Sequence, residues 1–478
     1  MRRSRLLVLL VCVAFVFGGM GPASTAPPLN DRIDTLLQRW QANDAFWGVS
    51  VYDIDAGEML YSRNADRGFL PASNQKLLTT AAALDLLGGT HRYETTLHFD
   101  GTTEGAVMRG DVMLDGTGDP TFGSLEMRTG DPLERWAERL AKMGVERIEG
   151  RLIGNDNAFD DRPYPDGWNV SYITRQKGRH LGASAGALSY RDNVVPLTID
   201  ATTPGEPPRA AVQPPNIVSV DNQATTSARW RGSTLQVQRT FSTNELVLTG
   251  SVARSYDGSI AVPVSDPTNF TLRSFQHHLE EAGIKTDLEL VDIDTIEDAP
   301  SRSSPLFVSH SPPLAEIVST INKESNNFYA EQVFRSFGWG GSTRGAARRA
   351  ETFLRGADVD PREVRISDGS GLSRKNLITP RAMVKLLDHM ATHPERDAFR
   401  SSLPRGGERN TTLNHRLNGD VSAKTGSLQS VRALSGYTER PNGNQVAFVL
   451  FANNYTGPSY QITQTIDAVV EAIGSVPV

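Results

Sequence analysis

The chain has 478 residues, of which 38% are apolar and 22% are charged, a composition typical of an ordinary globular protein. This length suits about two to four domains. The formal net charge is −6 at pH 7 and no basic tract is present, which argues against a nucleic-acid or anionic-membrane ligand.

The first 26 residues have the pattern of a secretory signal peptide. Arginines within residues 2–5 precede an apolar run over 6–17 that is too short to span a bilayer with normal flanks, and residues 24–26 (Ser-Thr-Ala) are small. We therefore expect an exported protein of the periplasm or extracytoplasmic cell envelope, with no integral membrane segment after cleavage. The alternative is an uncleaved N-terminal anchor.

Cleavage after residue 26 would change the mature chain in two ways. It would remove three arginines and no acid, which takes the net charge from −6 to −9. It would also remove Cys12, the only cysteine, so that a cysteine nucleophile, a disulfide and a zinc–thiolate site are excluded.

The first folded elements are predicted from residue 47 onwards. Residues 47–63 predict two strands around the Ala56-Gly57 turn, and a helix is predicted to begin at 71–73 and to end at Gly88-Gly89. The stretch 91–305 is rich in short strands and turns, with a helix over 132–143. We interpret this stretch as one or two β-rich modules.

Helical spacing returns after residue 311, and strands return near the end of the chain. Helices are predicted over 314–322, 328–337, 380–390 and 462–473, and strands over 421–428, 433–439 and 445–451. Together the two ends predict an α/β (α+β) domain with an antiparallel sheet of about five strands covered by helices. The predicted organisation is a catalytic domain in 27–92 and 306–478, an inserted β-rich domain in 93–165 and 260–305, and a nested β-rich insertion in 166–259.

Ser73 and Lys76 form a Ser-x-x-Lys pair at the start of a predicted helix. Of the eight lysines, only Lys76 follows a serine at this spacing. The spacing places the hydroxyl and the amine one turn apart on one helix face, and the helix N-terminus favours the alkoxide and the neutral amine. A lysine acts as a base only when it is neutral, so burial must lower its pKa. Alone the pair is a weak signal, because Ser73 as a helix cap beside a solvated Lys76 explains it equally well.

Two further motifs follow in a fixed order. Ser325-Asn326-Asn327 lies just after a predicted helix, and Lys424-Thr425-Gly426 lies in a predicted strand. The order Ser-x-x-Lys, Ser-x-Asn, Lys-Thr-Gly is the signature of penicillin-binding proteins and serine β-lactamases. A Ser-x-Asn triplet also occurs at Ser242, so the ordered set rather than any one motif carries the signal.

Around these motifs the chain resembles the penicillin-binding protein 4 type of D-alanyl-D-alanine carboxypeptidase/endopeptidase, the class C low-molecular-mass group. The chain is also similar to that family in the long stretch between Ser73 and Ser325, because family members carry inserted domains at this place. The resemblance implies a β-lactamase/transpeptidase-like catalytic domain. The segments that carry it are PASNQKLLTTAAAL around Ser73, GDP at 118–120, SPPLAEIVSTINKESNNFYAEQV around Ser325, DGSGLSRKNLITP at 368–380 and AKTGSLQSVRALSGY around Lys424.

The resemblance implies a serine peptidase of peptidoglycan that cleaves terminal D-Ala-D-Ala bonds. It also implies cleavage of peptide cross-links. Ser73 would be acylated, Lys76 would take its proton, Ser325 and Asn327 would relay a proton and hold the substrate, and Lys424 would sustain the field around Ser325. The implied substrate-binding residues are Thr425, Gly426 and Ser427, and Thr425 and Lys424 would also face the terminal carboxylate of the substrate. The implied partners are peptidoglycan stem peptides and β-lactam antibiotics, without a cofactor or a metal.

Two features depart from the family pattern. Ser427 replaces the more common threonine, which bears only on substrate or penicillin preference. Family members often have an aspartate a few residues after a tryptophan in the insertion, whereas Trp168 is followed by Asn169, Val170 and Ser171. The residues that read the diamino acid of the stem peptide therefore stay unassigned.

Competing interpretations remain for some motifs and for the function. Gly182-Ala183-Ser184-Ala185-Gly186 matches a nucleophile elbow, but a hydrophilic run precedes it, so we interpret it as a small-residue loop. The Asp368–Ser373 segment is interpreted as a structural turn, and His277-His278 as a solvated pair. A serine β-lactamase or esterase on the same fold, and a non-catalytic wall-peptide-binding protein, are the alternative functions.

Overall fold

The fold is described from a computed structural model that covers residues 27–39, 44–174, 182–215, 217–230, 232–298, 300 and 304–475. The predicted signal peptide, Cys12 and the hydrophilic run over 175–181 lie outside these described residues. Within the described ranges, none of the helices is long and apolar enough to cross a bilayer.

The strands of the described residues form several separate sheets. In chain order they are β1 (Phe46–Asp53), β2 (Glu58–Arg63), β3 (Glu94–Glu104), β4 (Val107–Gly116), β5 (Arg147–Asn155), β6 (Val194–Asp200), β7 (Arg209–Val212), β8 (Ser219–Asn222), β9 (Thr225–Ser227), β10 (Gln236–Arg239), β11 (Glu245–Thr249), β12 (Ser251–Ala253), β13 (Asp257–Pro263), β14 (Lys285–Asp292), β15 (Phe307–His310), β16 (Val364–Arg365), β17 (Leu377–Ile378), β18 (Ser422–Leu428), β19 (Val431–Glu439) and β20 (Gln445–Asn453).

The α-helices of the described residues cluster mainly near the two ends of the chain. They are α1 (Leu29–Leu37), α2 (Gln75–Leu87), α3 (Pro132–Lys142), α4 (Val170–Thr174), α5 (Pro267–Glu281), α6 (Leu314–Lys323), α7 (Asn327–Ser336), α8 (Thr343–Gly356), α9 (Pro380–Thr392), α10 (Arg396–Ser402) and α11 (Ser459–Gly474).

The two ends of the chain share one antiparallel sheet with the order β18-β19-β20-β1-β2. Alternate residues of β20 point to opposite faces, as the period of two in a strand requires. Val449 and Phe451 pack with α2 and α6–α9, whereas Phe448 and Leu450 pack with α1 and α11. The predicted five-stranded sheet covered by helices is therefore confirmed.

The middle of the chain builds its own core around a second five-stranded sheet, with the order β14-β5-β4-β3-β15. Helices α3 and α5 contribute Trp136, Phe270 and Phe275 to that core. The middle of the chain also forms three smaller sheets, with the orders β13-β6-β7, β10-β11-β8 and β12-β9. Strand β15 belongs to this sheet although it lies beyond residue 305, and β13 runs across the predicted boundary at 259/260.

The structure adds elements to the prediction and corrects one residue. Helices α1, α4, α8 and α10 were not predicted. His278 was wrongly predicted to be solvated. It is buried on α5, and its ring lies 3.4 Å from Asp131 and 3.2 Å from the Tyr190 hydroxyl. The reason is that α5 faces α3, where Asp131 caps the helix N-terminus and needs further donors.

Candidate active site

Ser73 and Lys76 lie where a single 3₁₀ turn over Ala72–Asn74 leads into α2. Their side chains are adjacent, with 3.2 Å between Lys76 Nζ and Ser73 Oγ. Ala72, immediately before the serine, has φ +48°, in the left-handed region that a residue with a Cβ adopts only under local strain. Ser73 is half-buried, whereas Lys76 is fully buried. The turn therefore presents the hydroxyl outward and keeps the amine behind it.

Lys76 Nζ has two other neighbours, both of which only accept hydrogen bonds. It donates to Asn327 Oδ1 at 2.7 Å and to the Ser370 carbonyl at 2.6 Å. A neutral amine has two N–H groups and one lone pair. Because the two carbonyl oxygens take both N–H groups, the lone pair of neutral Lys76 is directed at the Ser73 hydroxyl. This is the geometry of a general base.

Burial also sets the protonation of Lys76. Desolvation lowers the pKa of Lys76 to about 7, although the negative charges of Asp368 and Glu331 act in the opposite direction. A base with a pKa near neutrality has a large neutral fraction at the working pH and still accepts a proton readily. The solvated Lys76 of the competing interpretation is thus excluded.

Lys424 forms a second lysine–serine pair beside the first. Its Nζ donates to Ser325 Oγ at 3.0 Å and to the Thr425 carbonyl at 3.0 Å. Lys424 is fully buried, and both desolvation and the nearby charge of Lys76 hold its pKa well below the ordinary value. Ser325 has φ +56°, so the second serine also lies on a strained turn.

Strand β18 carries Lys424 and forms one edge of the central sheet. An edge strand has unpaired backbone groups that an extended peptide can pair with. Gly426 is buried against the Ser73 turn, and a Cβ there would lie 2.7 Å from the Pro71 carbonyl oxygen. Thr425 is half-buried and Ser427 is exposed, so both predicted substrate-binding residues are reachable from solvent.

The structure thus brings Ser73, Lys76, Ser325, Asn327 and Lys424 into one pocket from three distant parts of the chain. A hydrogen bond from Asn74 Nδ2 to the Lys424 carbonyl, 2.8 Å long, ties the Ser73 turn to β18 directly. The three motifs therefore lie next to one another in the structure, as their order along the chain predicts.

Sequence reasoning missed a buried loop behind Lys76. Asp368 accepts from the backbone N–H of Gly371 at 2.8 Å and of Ser373 at 2.6 Å, which folds residues 368–373 into a tight turn. Glu331 on α7 accepts from the N–H of Ser370 at 2.8 Å. The segment interpreted as a structural turn therefore also supplies the carbonyl that contacts Lys76. The available signal was a carboxylate one helical turn after Asn327, on the same face.

The insertion reaches this loop and the helix that carries Asn327. Trp168 Nε1 donates to Asp368 Oδ2 at 2.9 Å, and its ring packs beside Ala72 and Leu372. The loop at 182–186 docks on α7, where Gln332 Nε2 donates to the Gly186 carbonyl at 2.9 Å. Ser184 in that loop is fully buried and donates to the Val264 carbonyl, so the elbow-like motif is a docking loop rather than a nucleophile site.

The chain is similar to one family of known proteins. Residues 29–473 match the model of the D-Ala-D-Ala carboxypeptidase 3 (S13) family. A D-alanyl-D-alanine carboxypeptidase from Actinomadura sp. (strain R39) is 31% identical over 98% of this chain and 90% of its own length.

Two solved structures share the fold. The crystal structure of penicillin binding protein 4 from Haemophilus influenzae aligns with a TM-score of 0.78 at 23% identity, covering 93% of this chain and 99% of that one. The same protein complexed with a β-lactam aligns with a TM-score of 0.75 at 23% identity, covering 93% and 100%. These likenesses support the β-lactamase/transpeptidase-like fold over the described chain.

Proposed function

The chain belongs to the D-Ala-D-Ala carboxypeptidase (S13) family, and on that premise we propose that it cleaves peptidoglycan stem peptides through an acyl-enzyme at Ser73. The observation that carries this proposal is the buried Lys76 amine, which lies 3.2 Å from Ser73 Oγ and contacts two carbonyl oxygens, of Asn327 and Ser370, at 2.7 and 2.6 Å. Neither a non-catalytic binding protein nor a structural helix cap requires that arrangement.

In the acylation step, Ser73 Oγ attacks the carbonyl carbon between the two D-alanines, and its proton passes to Lys76. The bond to the terminal D-alanine then breaks, and the leaving amine takes a proton through Ser325, which Lys424 holds in place. Water later attacks the Ser73 ester, which releases the shortened peptide and restores the hydroxyl. Backbone N–H groups of Ser73 and Ser427 are proposed to bind the oxyanion, each contributing about 3–4 kcal/mol.

Substrate binding is proposed at the free edge of β18. An extended stem peptide would add to this edge by main-chain hydrogen bonds, next to the Thr425 and Ser427 hydroxyls. The Thr425 and Ser427 hydroxyls are better placed than Lys424 to bind the terminal carboxylate of the substrate. The reason is that Lys424 Nζ is buried against Ser325 and the Thr425 carbonyl. β-Lactams would enter the same site and acylate Ser73.

The cellular site is proposed from sequence alone. The basic, apolar and small-residue pattern of residues 1–26 supports export to the periplasm or extracytoplasmic envelope, where peptidoglycan lies. Endopeptidase action on cross-links is proposed alongside carboxypeptidase action, since both reactions attack the same kind of D-alanyl carbonyl.

The test is covalent labelling by a fluorescent penicillin together with D-alanine release from a pentapeptide. Ser73→Ala is expected to abolish both signals and to leave the melting temperature nearly unchanged, because Ser73 Oγ contacts only Lys76 among the described side chains. Ser184→Ala is the matched control, since it removes a serine from the other serine motif. Labelling that persists without Ser73 would refute the assignment. Release from cross-linked dimers measures the endopeptidase share.

A further inference from the structure

Glu331 is a fully buried carboxylate that the reaction steps above do not use. It lies on α7 four residues after Asn327, on the side of the helix that faces the pocket. Its oxygens accept from the Ser370 N–H at 2.8 Å and from the Gly369 N–H at 3.1 and 3.2 Å. A buried charge of this kind is unfavourable unless it is well hydrogen-bonded. The burial of Glu331 therefore indicates that this residue has a specific role.

Glu331 and Asp368 together determine where the Ser370 carbonyl points, since Asp368 Oδ1 accepts from the Gly371 N–H of the same peptide group at 2.8 Å. With the Gly369 and Ser370 N–H groups held on one side, the Ser370 carbonyl lies 2.6 Å from Lys76 Nζ. Thr79 Oγ1 donates to the Gly369 carbonyl at 2.7 Å, which fixes the preceding peptide group as well. Glu331 therefore acts on Lys76 through one residue, Ser370, rather than by touching it.

We propose that Glu331 is a positioning residue for the general base: it holds the Ser370 carbonyl on one N–H of Lys76, and its negative charge helps to retain the proton that Lys76 must lose before acylation. This proposal rests on the proposed function of Lys76. It assigns the buried loop at 368–371 to the chemistry and not only to the fold.

Several charged groups face Glu331 and Lys76 from the surrounding elements. Asp368 faces both from the loop, Arg335 lies one turn further along α7, and Lys424 faces Lys76 from β18. Burial, and then the charge of Asp368, raise the pKa of Glu331 to about 7, although the N–H groups of Ser370 and Gly369 lower it. The negative charge of Glu331 in turn raises the pKa of Lys76, against the effect of burial.

The experiment measures the rate of acylation by a fluorescent penicillin as a function of pH in the full chain. Glu331→Gln keeps an acceptor oxygen but removes the charge. The acidic limb of the profile is expected to move down by roughly 1 pH unit, because an opposite charge that raised the pKa of Lys76 is gone. Glu331→Asp keeps the charge but shortens the side chain. It is expected to slow acylation about tenfold, whereas the pH of the acidic limb is expected to stay nearly unchanged.

Asp131→Asn is the control, because it removes another buried carboxylate that lies in the insertion next to His278. It is expected to lower stability and to leave the pH profile unchanged. A Glu331→Gln profile whose limb coincides with that of the unaltered chain would overturn the proposal, even if the rate fell. If Glu331→Gln does not fold, Glu331→Asp decides, and acylation at the unaltered rate overturns it. Absence of Ser73 labelling in the unaltered chain would instead remove the proposed function.

Discussion

Gly426 is the position where one added methyl group tests the geometry of the pocket. A Cβ at this residue would lie 2.7 Å from the Pro71 carbonyl oxygen, 3.0 Å from Ala433 Cβ and 3.2 Å from Ala72 Cβ. The backbone of Gly426 is not in the left-handed region, so alanine is tolerated by its own φ. The contacts alone therefore decide what Gly426→Ala does.

The size of the effect follows from the closest contact. Ordinary van der Waals contact begins at 3.4 Å, so β18 and the Ser73 turn must separate by about 0.7 Å to relieve the contact with Pro71. That separation moves Lys424 away from Ser325 or Ser73 away from Lys76. Since a misplacement of about 1 Å costs about 10²-fold in rate, we expect acylation to slow by about 30–100-fold, or about 2–2.7 kcal/mol.

The assay is stopped-flow acylation by a fluorescent penicillin, with thermal melting as the measure of stability. Gly356→Ala is the matched control, because its added Cβ meets nothing within 4 Å and its backbone is also outside the left-handed region. Its acylation rate is expected to equal that of the unaltered chain. If Gly426→Ala acylates within threefold of the unaltered rate, the tight packing of β18 on the Ser73 turn does not set the geometry.

Three more outcomes are expected. Because the pKa of Lys76 is lowered to about 7 and only the neutral amine is a base, the acylation rate should rise with pH through about 7; a flat profile from pH 5 to 8 would contradict this. Asn74→Ala removes the 2.8 Å hydrogen bond to the buried Lys424 carbonyl, and it should lower stability by about 1–2 kcal/mol and slow acylation, measured by melting and labelling. Burial raises the pKa of Asp131, but hydrogen bonds from His278 and Tyr190 hold it below its ordinary value. The destabilisation by Asp131→Asn, about 2 kcal/mol, should therefore be complete near pH 6 and fade as pH falls below 3.8, in melting curves over pH.

The sequence predicted the pocket because its chemistry needs particular side chains at short local spacings. Ser73 and Lys76 are one turn apart, and Ser325 and Asn327 lie at the junction of two helices, so each motif is visible without the fold. Their order along the chain then indicated which folds bring them together. The central sheet was predictable for a similar reason, since the run from Val446 to Ala452 is apolar on both faces of β20.

The unpredicted elements depend on tertiary contacts that no local pattern records. Helix α8 buries only a narrow face through residues such as Ala346, Ala350 and Leu354, and its many arginines hide that face in the sequence. Helix α5 was predicted only around His277-His278, and its start signals, Asp266 as the N-cap and Pro267 after it, were missed in a stretch dominated by strands. From the sequence alone, Glu331 is indistinguishable from a surface carboxylate, because the N–H groups of the 368–371 loop come close to it only in the folded chain.

Helix α7 explains why the insertion belongs to the site rather than being appended to it. Asn327 and Glu331 on this helix serve the pocket, whereas Tyr329, Gln332 and Arg335 are buried against the insertion. The Tyr329 hydroxyl lies 2.9 Å from Asp192 Oδ1, and Arg335 Nη2 donates to Asp160 Oδ1 at 2.7 Å.

Each of these side chains has a hydrogen-bond partner in the insertion. A catalytic domain without the insertion would leave an arginine, a tyrosine and a glutamine of one helix exposed along a face built for hydrogen bonds. Each lost hydrogen bond would remove about 0.5–1.5 kcal/mol of net stability, because water replaces the lost partner. The helix that positions Asn327 against Lys76 is thus held from behind by the insertion, and so the geometry of the general base depends on residues far from it in both sequence and space.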